Sequence, residues 1–222
     1  MNTNTLVCTM LSALLLSPVA AQAQAKEELK LQLPKPMFIG TPTNLKSPNL
    51  EAITGKPRGP FLVPVGTTLV SLKKSVTSSD RQPVIGELEM VTDGEKDGGD
   101  GYFVELGPGR QWVQIDLGAS LTLHAMLAWH YHSQARVYRD VIVQVSDDRN
   151  FQKGVTTVFN NDHDNSSGMG VGHDKEYIEV AEGKLFDARG AQGRYVRLYS
   201  NGNTANDLNH YVEVEVYGTP AK

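Results

Sequence analysis

The sequence predicts an all-β fold, a sandwich or barrel, on three observations. After Gly66 the chain breaks into short runs rich in Val, Ile, Tyr and Trp: WVQIDLG, TLHAMLAWHYH, DVIVQVSDD, TTVFN, YIEVAE, RYVRLYS and YVEVEVYG. Gly, Asn and Asp separate them at near-regular spacing, with no long helical period between, as in sandwiches and barrels. The last run alternates cleanly. Val212, Val214 and Val216 point one way, and Glu213 and Glu215 point the other, onto a face expected to be exposed. Finally, the only cysteine, Cys8, lies in the leader, so the remainder must fold by burial alone. About 150 residues suffice for one core without cross-links.

In chain order, residues 1–25 read as a secretory signal: an apolar run too short to span a bilayer, then small residues in A-x-A arrangement at Ala23, Gln24 and Ala25. Export to the periplasm, cell surface or medium is expected. Residues 26–66 form a Pro-rich stretch, with LPKPMFIGTPTNLKSPNL followed by GKPRGPFLVP. Prolines this frequent break helices and ladders alike. The expectation is an extended arm lying against the next domain, or a disordered tether. Residues 67–218 carry the strand-rich domain, and 219–222 are a short tail. The formal charge of −4 offers no basic face for nucleic acid. No second apolar stretch approaches membrane-spanning length, so no membrane insertion is expected.

The run TDGEKDGGDGYFVE places Asp93, Glu95 and Asp97 at the opening spacing of an EF-hand calcium loop. Such a loop needs flanking helices and a bidentate Glu at its twelfth position. Counted from Asp93 that position is Val104, and GPGRQWVQIDLG beyond it reads as turn and strand. The helix-loop-helix reading fails on both counts.

Three ordered segments carry a family resemblance. They are VSLKKSVTSSD at 70–80, VTDGEKDG with QWVQIDLG, and the series VIVQVSDD, GRYVRLYS and VEVEVYG. Together they resemble the discoidin, or coagulation factor five/eight type C, domain of the galactose-binding-like superfamily, over residues 67–218. The resemblance implies an eight-stranded jelly-roll sandwich, and a binding module rather than a catalyst. Relatives of that kind include bacterial family-32 carbohydrate-binding modules and animal domains that bind lipid surfaces or proteins. It also implies a structural calcium held by Asp93 and Glu213, with Asp97 a further candidate. Carboxylates plus loop carbonyls suit that ion.

Several polar clusters are candidates for recognition. In WHYHSQARVYRD, period two puts His130 and His132 on one strand face, with Trp129 and Tyr131 on the other and Arg136 in the turn beyond. The long loop FNNDHDNSSGMGVGHDKEY supplies Asn161, Asp162 and His163, and SNGNTANDLNHYVE supplies Asn203. Amide and imidazole groups offer the donors and acceptors a sugar requires. Asx-rich loops also make such residues for their own turns. A transition-metal site joining His130 and His132 with His163 or His173 is a further reading. There is no G-x-S-x-G elbow, no cysteine nucleophile beyond the leader and no phosphate-binding loop.

The sequence therefore leads to an exported, non-catalytic module binding a carbohydrate or cell-envelope glycan. A protein-interaction role in a surface complex is the alternative, with the histidine metal binder third.

Overall fold

The computed structural model describes residues 24–38, 45 and 47–221. Almost all of the proposed leader, together with Ile39 of the arm and Lys222 of the tail, lies outside them. The arm supplies β1 (Lys26–Glu28) and β2 (Leu62–Pro64), which pair antiparallel. The domain then contributes β3 (Thr68–Leu69), β4 (Ser75–Ser78), a 3-10 turn (Leu88–Thr92) and β5 (Val104–Leu106). There follow β6 (Gln111–Trp129), β7 (Ile142–Ser146), β8 (Thr156–Asn160), β9 (Lys184–Ser200), β10 (Asn209–Tyr211) and β11 (Glu213–Pro220).

The sandwich is built on two long strands. β6 and β9 pair antiparallel over almost their whole length, with register shifts between Asp116 and Leu121 and between Leu123 and Ala125. At the bend Gly118 takes φ +88°, a conformation cheap only for glycine. Before the bend β6 borders β4, and after it borders β11 on the same edge. One hydrogen-bonded sheet thus folds over on itself as two facing layers. The first layer runs β4-β6-β9-β7-β8 and the second runs β3-β11-β6-β9. Val113, Ile115, Val143, Val145, Val196 and Leu198 of the first meet Leu123, Met126, Phe186, Val214 and Val216 of the second in one core. The segment YIEVAE, expected as a strand, is not one. Its alternate residues Tyr177, Glu179 and Ala181 are buried, but its backbone joins no ladder: the Glu179 amide donates singly to the Arg136 carbonyl, and Glu176 just before it bonds to Asn49 and Glu51.

The second layer is buried on both faces, as the apolar run AMLAW demands. Ala125, Leu127 and Trp129 point outward yet are buried with Val212 and Tyr217. The arm covers them: Val63 joins this outer cluster, and Leu29, Leu31 and Phe61 pack against it. Arg58 latches the arm, its guanidinium donating to the carbonyls of Gly183 (2.9 Å) and Glu182 (2.7 Å). Gly183 (φ +63°) lies so close to Trp129 that a Cβ would meet the indole at 2.6 Å. The described arm residues cover this face, and Glu213 and Glu215 beneath the 93–98 loop are buried rather than exposed.

Candidate functional site at the loop end of the sandwich

Most polar residues expected to face a ligand are spent on the protein's own loops. The strand expected to carry His130 and His132 ends at Trp129, and both imidazoles are fully buried. His130 Nδ1 lies 2.6 Å from buried Glu179 and stacks on Tyr138, and His132 Nε2 meets the Lys96 carbonyl at 2.9 Å. Asn161 accepts from the Val141 amide at 2.6 Å, and Asn203 from the amides of Ala205 and Asn206. Buried Asp162 accepts from the amides of Ser166 and Ser167. These five residues hold turns, because a compact polar loop must satisfy its buried backbone groups internally. His163 is half-buried and His173 exposed.

The histidine metal set is not brought together either. Among the described residues, the single group of three or more ligand-type side chains whose donor atoms lie within 4.8 Å of one another is Asp140, Asp162 and Asp164, with no histidine. Asp140 there accepts from the hydroxyls of Ser166 and Ser167 and from the Asn201 amide. Burial, aided by Asp140, raises the pKa of Asp162. The trio staples the long loop to its neighbours.

Arg136 brings two unspent donors to the loop end; among the other expected residues His130 Nε2, His132 Nδ1, Asn161 Nδ2 and His163 Nε2 are also without a partner. Arg136 is 9 % exposed, and its Nε and Nη1 have no partner. Nη2 makes one long contact, 3.4 Å, to Gln134. No carboxylate lies within ion-pair distance of it among the described residues. Its guanidinium sits 4.4 Å over the Tyr131 ring, which packs edge-on to Phe103.

Beside it runs a buried chain that was not foreseen. The pairing of β5 with β10 sets His210 opposite Glu105. His210 Nε2 lies 2.9 Å from Glu105, and Nδ1 lies 2.9 Å from the Tyr138 hydroxyl. Burial, then the charge of Arg136, lowers the pKa of His210 to about 4, and burial raises Tyr138 well above its ordinary range. The neutral imidazole therefore accepts from the Tyr138 O–H and donates from Nε2 to the Glu105 carboxylate. Glu105 itself is raised by burial, opposed by Arg136, and keeps 11 % of its side chain in solvent. One sequence signal hinted at this carboxylate: Glu105 stands between Val104 and Leu106 in an otherwise apolar strand. Its partner lies more than a hundred residues away and was invisible.

The arrangement is a cation with free N–H groups beside a carboxylate, on an aromatic wall. It can grip adjacent hydroxyls with a donor and an acceptor at once.

The expected calcium donors do not fit. Asp93 and Asp97 are exposed, and with Glu213 they form no common cluster. The Asp93 carboxylate caps the Glu95 amide at 2.8 Å. Glu213 is buried with Oε1 unpartnered; burial, Glu215 and Asp93 push its pKa up to about 9, which leaves it a neutral carboxyl near pH 7.

The fold is that of the discoidin-type, galactose-binding-like sandwiches. No family model matches the chain, and no curated protein does either. Solved structures do. A family 89 glycoside hydrolase from Clostridium perfringens, in complex with its substrate GlcNAc-alpha-1,4-galactose, matches with TM-score 0.50 at 15% identity. That match covers 69% of this chain and 15% of the hydrolase. The CBM32 of AlyQ, in complex with 4,5-unsaturated mannuronic acid, matches at 0.49 and 19% identity, covering 67% of this chain and 97% of the module. A fucolectin from striped bass (Morone saxatilis) serum matches at 0.48 and 16% identity, over 71% and 49%. At such identities the likeness is one of fold.

Proposed function

We propose that this protein is an exported, non-catalytic module that binds a neutral glycan at the loop end of the sandwich. The observation that carries the reading is Arg136, a nine-tenths buried arginine without a carboxylate partner. A buried charge left unpaired is costly and calls for a ligand or ordered water. Glu105 beside it balances the charge, which favours hydroxyls over an anion. Tyr131 and Phe103 supply apolar surface for a sugar ring. The fold likeness to part of a hydrolase acting on GlcNAc-alpha-1,4-galactose adds support. The chain spans a small fraction of that enzyme, and its catalysis is not carried over.

A glycan array with the exported chain, followed by calorimetric titration, tests the idea. Binding lost in Arg136→Ala and in Glu105→Gln is the expected result. A folded protein that binds no glycan on the array rejects the reading.

One observation favours a second reading, a protein partner along the arm. Exposed Met37, Ile53 and Val180 line a concavity of about 740 Å³ between the arm and segment 177–185, and Leu33 borders another of about 340 Å³. Neither touches Arg136 or Glu105. Two of the cations there are engaged: Lys184 pairs with Glu51 at 2.6 Å, and Arg58 with the Glu182 and Gly183 carbonyls, while Lys30 and Lys56 also line the concavities. A partly apolar groove bordered by lysines suits a protein surface better than a sugar. Site-specific photocrosslinking from position 37 in the intact cell envelope, with Ile53→Asp as control, distinguishes the two readings.

A further inference from the structure

The loop for which calcium was expected is closed by its own residues. The Gly94 amide donates to Glu213 Oε2 at 3.1 Å. The Lys96 carbonyl receives His132 Nε2, and the Gly98 carbonyl receives the Ser133 hydroxyl. A Cβ at Gly98 would meet the His132 ring at 2.8 Å, so the loop lies flat on that imidazole.

A positive charge is nevertheless present. Lys96 Nζ lies 2.6 Å from Glu215 Oε1, with the two side chains 13 % and 3 % exposed, and 5.4 Å from the centre of the Trp129 ring. The other Glu215 oxygen accepts from the Tyr217 hydroxyl at 2.8 Å. A carboxylate facing an ammonium and a hydroxyl, with an aromatic face beside the cation, is a fully used ion pair. A divalent ion brought to Glu213 would share its surroundings with that ammonium and meet repulsion.

We propose that Lys96 is a tethered cation. Its ammonium, inserted between Glu215 and Trp129, closes the 93–98 loop in place of a metal and thereby positions the root of the loop that carries Arg136. The connection is short. Glu215 holds Lys96, the carbonyls of Lys96 and Gly98 hold His132 and Ser133, and Tyr131 and Arg136 flank those two in sequence. Lys96 is thus a positioning residue, acting through the backbone of its own loop, and the loop is built to work without calcium.

Thermal melts of the exported chain in excess EDTA and in millimolar calcium test this, together with Lys96→Met and Lys96→Arg. The wild-type midpoint is expected to be the same in both buffers. Lys96→Met should lower it by roughly 5–15 °C in both, as expected for breaking a buried pair, and Lys96→Arg should restore most of the loss. A ¹⁵N spectrum of the His132 ring supplies a local readout: its signal should move in Lys96→Met and stay in Lys96→Arg. A wild-type midpoint that rises with calcium and falls with EDTA overturns the proposal, as does a Lys96→Met protein with unchanged midpoint and His132 signal. Should Lys96→Met fail to fold, the wild-type melts and Glu215→Gln decide by the same criteria. None of these measurements involves a sugar, so their outcome is independent of the glycan reading.

Discussion

Arg136 carries its charge inside the protein and leaves two N–H groups unmet there. Such a group weakens the fold and persists where a ligand needs it. Arg136→Met keeps the stem packed on Tyr131 and removes the charge. It should abolish glycan binding while leaving the melting temperature unchanged or higher, a combination that calorimetry and a melt read together. A large loss of stability would show instead that the arginine is structural. His210 sets the acid limit of the same site. Its pKa in the fold, about 4, lies below the ordinary value. The unfolded chain therefore binds the extra proton first as pH falls. The stability that neutral His210 contributes is complete above about pH 6.5 and drains away towards pH 4, amounting to roughly 3 kcal/mol. Urea midpoints measured across that window should fall with acid, and His210→Gln should flatten the slope. At this scale the sequence was a poor guide. Arg136 was legible as a candidate, but Glu105, Tyr138 and His210 were not, because a strand pairing and a burial unite them. The reverse error had the same cause. His130, Asn161 and Asn203 look like ligand groups in one dimension and turn out to hold loops.

Strands were far more legible than sites. Short runs rich in Val, Ile, Tyr and Trp marked β7, β8, β11, both halves of β6 and the end of β9, and alternation was clean in β11. It could not distinguish which face was open. VEVEVYG reads as half-exposed, and Glu213 and Glu215 are buried because the 93–98 loop from elsewhere closes over them. Nor did it reveal residues 184–193, where GKLFDARGAQG looks like a turn and is half of a long strand held by pairing to β6. Close packing makes one element-scale prediction sharp. Gly183 lies against the Trp129 indole and at positive φ, whereas Arg58 grips its carbonyl. Gly183→Ala should cost about 2–4 kcal/mol in urea unfolding. A cost near zero would mean that the Trp129 pocket is looser than its geometry.

For the molecule as a whole, the arm belongs to the core. Proline content suggested extension, and the tether alternative could not be separated from it by composition. On the outer apolar face of the second layer, Val63, Phe61, Leu29 and Leu31 of the arm provide the cover. Hydrogen exchange should find the Leu29 amide, bonded to the Phe61 carbonyl at 2.8 Å, and the Val65 amide, bonded to the Ala25 carbonyl at 2.9 Å, strongly protected. Exchange at the rate of a free peptide would return the arm to a tether. The position of β11 has a separate consequence. It lies between β3 and β6, so Thr68 and Leu69 find their partners in Gly218 and Tyr217 at the far end of the chain. Contacts this remote in sequence form slowly and late. While the chain is being synthesised, the second layer lacks its central strand until Glu213–Pro220 emerges, and β3 waits without its partner. For a protein proposed to be exported, that delay favours the threadable form a secretion channel requires, with closure postponed until β11 arrives.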